Sequence, residues 1–191
     1  MRDIRVFLGA LSPILTFSLI GLAIFMHPWF DWNENALSDL GARDVENGWV
    51  FNLALILGSA SALAFASYLI RISQSRYELF AASIFTLSVF FMGLIGVFPE
   101  GHPIHWPSAV LFYILAFLSM LAYGLVFSVR RRMYGPVSIG IMLAGILLMA
   151  IPGWTSLAIP ETIGALSISA WIYTMVLFVE KGGIEWTTGT E

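Results

Sequence analysis

Apolar residues run almost unbroken through six stretches of the chain, Val6 to Met26, Trp49 to Ile70, Leu79 to Phe98, Trp106 to Val129, Pro136 to Pro152 and Thr162 to Val179, and polar residues collect in the gaps between them. At 1.5 Å of rise per residue, about 20 helical residues, within a range of about 17 to 25, cross a ~30 Å hydrocarbon core. None of the six stretches carries a charge in its interior, and none alternates with the period of two that a barrel strand needs. Backbone groups in hydrocarbon must be satisfied within their own segment, so the pattern predicts an all-α integral membrane protein. Six transmembrane helices form one bundle, a single domain over residues 1–191.

Composition sharpens this. Hydrophobic residues make up 59% of the 191 and charged residues only 11%, with a mean hydropathy of +0.86, which excludes a soluble globule, where about 25% are charged. The net charge of −3 matters less than where the charges sit. Arg2, Arg5, Arg71, Arg76, Arg130, Arg131, Arg132 and Lys181, eight of the nine basic residues, fall on one side of the predicted helices, and only Arg43 falls on the other. By the positive-inside rule the basic side is cytoplasmic. Both termini are then inside and the loops around 27–48, 99–105 and 153–161 outside, as in a multi-pass protein of the cell membrane. The first stretch is longer than a signal h-region and lacks a small-residue cleavage site, so it reads as a retained anchor. Cysteine is absent, which removes disulfides and thiol chemistry. The sparse inner arginines give no footprint for nucleic acid, membrane lipids are the expected partners, and the oligomeric state stays open.

The first external loop opens with His27-Pro28-Trp29-Phe30-Asp31-Trp32; Pro28 should end the helix, and the aromatic rings belong at headgroup level. From Trp32 to Leu40 a 100° step puts Trp32, Ala36, Leu37 and Leu40 on one arc and Glu34, Asn35, Ser38 and Asp39 on the other. The spacing predicts a short interfacial helix stopped by Gly41, whose polar face looks at water or into a protein cavity. In the second helix Gly58, Ala62 and Ala66 form a small-residue face for close helix packing, with Gly93 and Gly96 in the third and Gly140 and Ala144 in the fifth as shorter versions.

Candidate chemistry lies in the second external loop, Phe98 to Ser108, where three prolines and a glycine fix a tight turn around Glu100, His102 and His105. Two imidazoles beside a carboxylate supply general acid/base groups, and Ser108 at a helix N-terminus could act as nucleophile or support an oxyanion. His27, His102 and His105 also offer three nitrogens with a fourth position open, as catalytic zinc prefers. However, HPIH lacks the i,i+4 spacing of well-attested zinc motifs and Pro103 breaks the helix such a pair needs, so zinc is not favoured and the cofactor is left undetermined. Glu161 reads mainly as a helix-capping acid. With Asp31, Glu34, Asp39, Asp44, Glu46 and Glu100 it makes seven of twelve acids external, a field that favours cationic or metal-bound ligands. The two halves do not resemble each other and no charge sits near mid-membrane, which counts against ion-coupled transport.

At Glu34-Asn35-Ala36-Leu37-Ser38-Asp39-Leu40-Gly41, followed by Gly96-Val97-Phe98-Pro99 and a histidine before Ser108, the chain resembles a prokaryotic, largely archaeal membrane family catalogued as domain-of-unknown-function family 998. That resemblance covers nearly the whole chain and implies the six-helix layout without implying an activity. More remotely, a serine-aspartate pair after the first helix and a histidine-bearing loop after the third look like the Frag/DRAM/Sfk membrane proteins, connected with lipid-anchor remodelling and autophagy. The residue types also resemble those of ceramidase-like membrane hydrolases, without their HxxxH spacing. The leading expectation is an outward-facing polar pocket of Glu34, Asn35, Ser38, Asp39, His102, His105 and Ser108 in an enzyme, a hydrolase or transferase, acting on a lipid or lipid-linked group. There His105 or His102 is the base, Asp39 orients it and Ser108 attacks; Glu100 adds a ligand-binding carboxylate. The alternative is a non-catalytic protein that binds a lipid or small molecule, with a transporter third.

Overall fold

The computed structural model describes residues 3–130 and 132–181; Arg2 and Arg131, which entered the reading of sidedness, lie outside them. Six α-helices follow in order: α1 Ile4–Met26, α2 Trp49–Ile72, α3 Arg76–Val97, α4 His105–Val129, α5 Tyr134–Met149 and α6 Ala158–Glu180, with a 3₁₀ turn at Leu37–Gly41 and no strand among the described residues. Five of them, 22 to 25 residues long, are long and apolar enough to cross a membrane. The sixth, α5, has 16 residues and rises about 24 Å. Its apolar run extends to Pro152, but the residue before a proline disfavours helix and Gly153 turns the chain at φ 110°, so the helix stops short.

Local chemistry sets the other boundaries. Asp3 caps α1 by accepting the Arg5 N–H. α3 starts three residues ahead of its apolar run because Ser75 accepts the Glu78 N–H at 3.2 Å while the Glu78 carboxylate accepts the Gln74 N–H at 2.7 Å, a reciprocal cap. Glu78 is thereby buried, and Arg130 from the end of α4 pairs with it.

Consecutive helices are neighbours around a core centred on Trp171, which is fully buried in α6. Its ring meets Phe85 of α3 at 5.0 Å and Tyr123 of α4 at 5.8 Å, and its Nε1–H donates to Ser138 Oγ of α5 at 3.2 Å. Serines bridge backbones between helices: Ser12 Oγ donates to Gly58 O, Ser59 Oγ to Val89 O, Ser88 Oγ to Phe112 O and Ser119 Oγ to Ala81 O, all at 2.6–2.9 Å. Such bonds and close backbone approach hold helices together where the surrounding solvent is as apolar as the side chains. Ala62 and Ala66 are buried as the small-residue spacing predicts, and a Cβ on Gly96 would meet Asn52 O at 2.5 Å. Gly140 and Ala144 depart from that reading and are exposed. The buried stripe of α5 is Gly135, Ser138, Met142 and Gly145, so the fifth helix presents a different face.

Large apolar side chains such as Phe7, Phe25, Phe80 and Leu147 lie exposed on the outside, as lipid contact requires. The two ends differ chemically. Exposed Trp29, Trp32, Trp49, Trp106 and Trp154 mark one end, together with Arg43; Arg5, Arg71, Arg76, Arg130, Arg132 and Lys181 mark the other.

The interfacial helix from Trp32 to Leu40 does not form. Asp31 Oδ1 accepts the Asn33 N–H at 2.7 Å, Asn35 Oδ1 accepts the Asp31 N–H at 2.9 Å, and Ala36 is extended at φ −89°, ψ 156°. These side chains offer the backbone partners that compete with a helix, so only Leu37–Gly41 coils. The polar arc is thereby broken, and Glu34 and Asn35 part from Ser38 and Asp39.

Candidate functional site

Leu37 and Leu40 press the 3₁₀ turn into the mouth of the bundle at the tryptophan end, where both are buried. Polar bonds then fix it. Asp39 Oδ2 accepts the Ala36 N–H at 2.8 Å, Asn52 Nδ2 donates to Gly41 O at 3.0 Å, and Asn35 O accepts the Ala158 N–H of α6 at 3.1 Å. Ser156 Oγ donates to Trp32 O at 2.6 Å. The central staple is Glu161, whose Oε2 accepts the Leu37 N–H at 2.7 Å. Glu161 therefore caps the 3₁₀ turn of another segment rather than its own helix. Its backbone carbonyl accepts from the Tyr113 hydroxyl at 2.8 Å.

The second loop approaches from α3 and α4. Gly101, at φ 85°, makes the sharp turn that a side chain would strain. His105, 3% exposed at the start of α4, is held on both sides: Nδ1 lies 2.8 Å from Phe98 O and Nε2 lies 2.9 Å from Glu100 Oε2. A carbonyl only accepts, so Nδ1 carries a hydrogen, and Nε2 and the Glu100 carboxyl share a further proton. The nitrogen that a general base would use is thus already engaged.

Ser38, Asp39, Glu100, His105 and Glu161 all line one cavity of about 360 Å³, walled also by Trp106, Tyr113, Met149 and Leu157. Behind it lies a smaller apolar recess of about 70 Å³, among Ile20, Phe51, Leu55, Met92, Ile95 and Phe112. Ser38, His105, Ala109, Tyr113 and Glu161 line both spaces. Asp39 is held through Oδ2, Glu100 through Oε2 and Glu161 through Oε2.

Of the residues expected from sequence, Ser38, Asp39, Glu100 and His105 come together. Glu34 is exposed in a turn, and Asn35 is spent on Asp31 and Ala158. His102 stacks on Phe98 at 4.7 Å and accepts the Ile104 N–H at Nδ1. Ser108 is 1% exposed and lines neither space, so it does not face the cavity as a nucleophile. The carboxylate within hydrogen-bond distance of His105 is Glu100 and not Asp39. The three histidines do not assemble either. Both ring nitrogens of His27 lie on backbone carbonyls, Ala23 O at 2.6 Å and Glu46 O at 2.7 Å, and no group of three His, Cys, Asp or Glu among the described residues is arranged around a metal position. The residues that spacing could not assign are Glu161 and Tyr113. A first-turn acid reads as its own helix's cap, and a tyrosine inside an apolar run reads as core.

Residues 10–177 match the family described as "Protein of unknown function (DUF998)", and the chain belongs to that family. No curated protein and no solved structure matches it significantly.

Proposed function

We propose that this member of the DUF998 family binds an amphiphile with a cationic head in the cavity at its tryptophan end, which by the positive-inside rule is the outer face. One observation carries the reading: Asp39, Glu100 and Glu161 line a cavity of about 360 Å³ that shares Ser38, His105, Tyr113 and Glu161 with an adjoining apolar recess. The Asp39 carboxylate complements an ammonium, with the Glu100 carboxyl beside it on His105, and the recess accepts the apolar part. The size falls in the range of small-molecule sites, about 300–1,000 Å³. The test is calorimetric titration of the detergent-solubilised protein with a long-chain primary amine and with the fatty alcohol of equal length. The amine should bind about ten times more tightly or better, the usual worth of one charge-assisted hydrogen bond. Equal affinities would sink the reading.

A second reading follows from the 2.9 Å His105 to Glu100 contact. A proton held there could be given to a lipid-linked group in the cavity, which makes His105 a general acid rather than the base of a serine triad. In that case His105→Gln should abolish turnover of a lipid substrate while amine binding persists, and binding without any turnover by wild type leaves the first reading alone.

A further inference from the structure

At the arginine end α1 and α6 touch only lightly, and a crevice of about 490 Å³ opens between α1, α2 and α6. Its inner wall is apolar: Val6, Phe7 and Ala10 from α1 face Val176 and Val179 from α6. Asp3, Tyr68, Arg71 and Glu180 sit at the helix ends around its rim. Asp3 is already taken, since Arg5 holds both its oxygens, Nε on Oδ1 at 2.9 Å and Nη2 on Oδ2 at 2.7 Å. The Arg71 side chain is 70% exposed, and its approach to Asp3 Oδ2, 3.7 Å, is too long for a hydrogen bond. Arg71 therefore presents a planar fork of N–H donors beside an apolar slot, the geometry that suits a phosphate.

We propose that this crevice seats a phospholipid, with one acyl chain between α1 and α6 and the headgroup phosphate on Arg71. Cationic pockets between helices near the cytoplasmic surface are a general place for lipid headgroups. This site is separate from the cavity at the tryptophan end and stands or falls independently of it.

The experiment uses the full chain in detergent with a phosphatidylethanolamine that carries a diazirine in one acyl chain. Photolabelling is mapped by mass spectrometry and should fall on the segments around Phe7 to Ala10 and Val176 to Val179. Unlabelled phosphatidylethanolamine should compete, and diacylglycerol of the same chains and millimolar inorganic phosphate should not. Arg71→Gln, a surface change, should lower the yield about tenfold, and Ala10→Phe, which fills the slot, should lower it with Arg71 intact. Labelling indifferent to both variants overturns the proposal. So does equal competition by diacylglycerol or by free phosphate. Labelling seen only when the chain is cut after Lys181 would show that residues 182–191 occupy the slot instead, and would equally overturn it.

Discussion

Glu161 joins the two chemistries of the tryptophan end, because one oxygen caps the turn at Leu37 while the side chain as a whole faces the cavity. Glu161→Gln keeps an acceptor for the Leu37 N–H and should leave thermal unfolding little changed. Glu161→Ala leaves that N–H without its acceptor and should cost about 1–3 kcal/mol in a detergent melt. Equal melts for the two variants would show that the staple contributes nothing. At the opposite end Asp3 gives a pH-dependent case. Its carboxyl is lowered to about 2, chiefly by the side-chain hydrogen bond from Arg5. A depressed folded pKa supplies stability above the ordinary value of 3.8, and that contribution is lost as pH falls toward 2. In a carbon-13 NMR titration Arg5→Gln should bring the Asp3 carboxyl back up toward 3.8; a carboxyl that stays near 2 would assign the shift to the helix terminus instead.

Helix existence was readable from the chain because length and unbroken apolarity depend on the bilayer rather than on any partner. Glycine roles were readable only in part. Gly96→Ala should destabilise by about 1–3 kcal/mol, since its new Cβ meets a backbone oxygen of α2 that cannot swing aside, whereas Gly140→Ala meets nothing within 4 Å and should be neutral or slightly stabilising. Melts of the two variants in one detergent check both statements, and similar losses would contradict the packing. The difference was invisible in sequence because small residues recur on both faces of α5, and only contact with α4 and α6 selects Gly135 and Gly145. The first loop failed for a related reason. Its 100° pattern was real, but Asp31 and Asn35 bond their own backbone, which no hydrophobic periodicity records. Of the candidate site, the residues that lay within tight turns, Asp39, Glu100 and His105, were legible from charge and spacing. Glu161 was not, because its partner, Leu37, is 124 residues away.

Across the whole molecule, tryptophans and arginines mark opposite ends, and in the topology we propose from the positive-inside rule the cavity lies on the outer face. Cysteines introduced at Asp44 and Gly101 should react with an impermeant thiol reagent applied to intact cells, and cysteines at Ser75 and Lys181 should not. The reverse pattern would turn the cavity toward the cytoplasm. The acidic cavity itself is tested most directly by the ratio of long-chain amine to fatty-alcohol affinity, measured by calorimetry in wild type and in the Asp39→Asn/Glu100→Gln/Glu161→Gln triple variant. Gln and Asn keep the hydrogen-bonding shape and remove the charge, so the ratio isolates the carboxylates from the apolar recess. Wild type should favour the amine about tenfold or more and the triple variant should bind both alike; an unchanged ratio in a variant that melts like wild type would contradict the assignment of the cavity as a cation site.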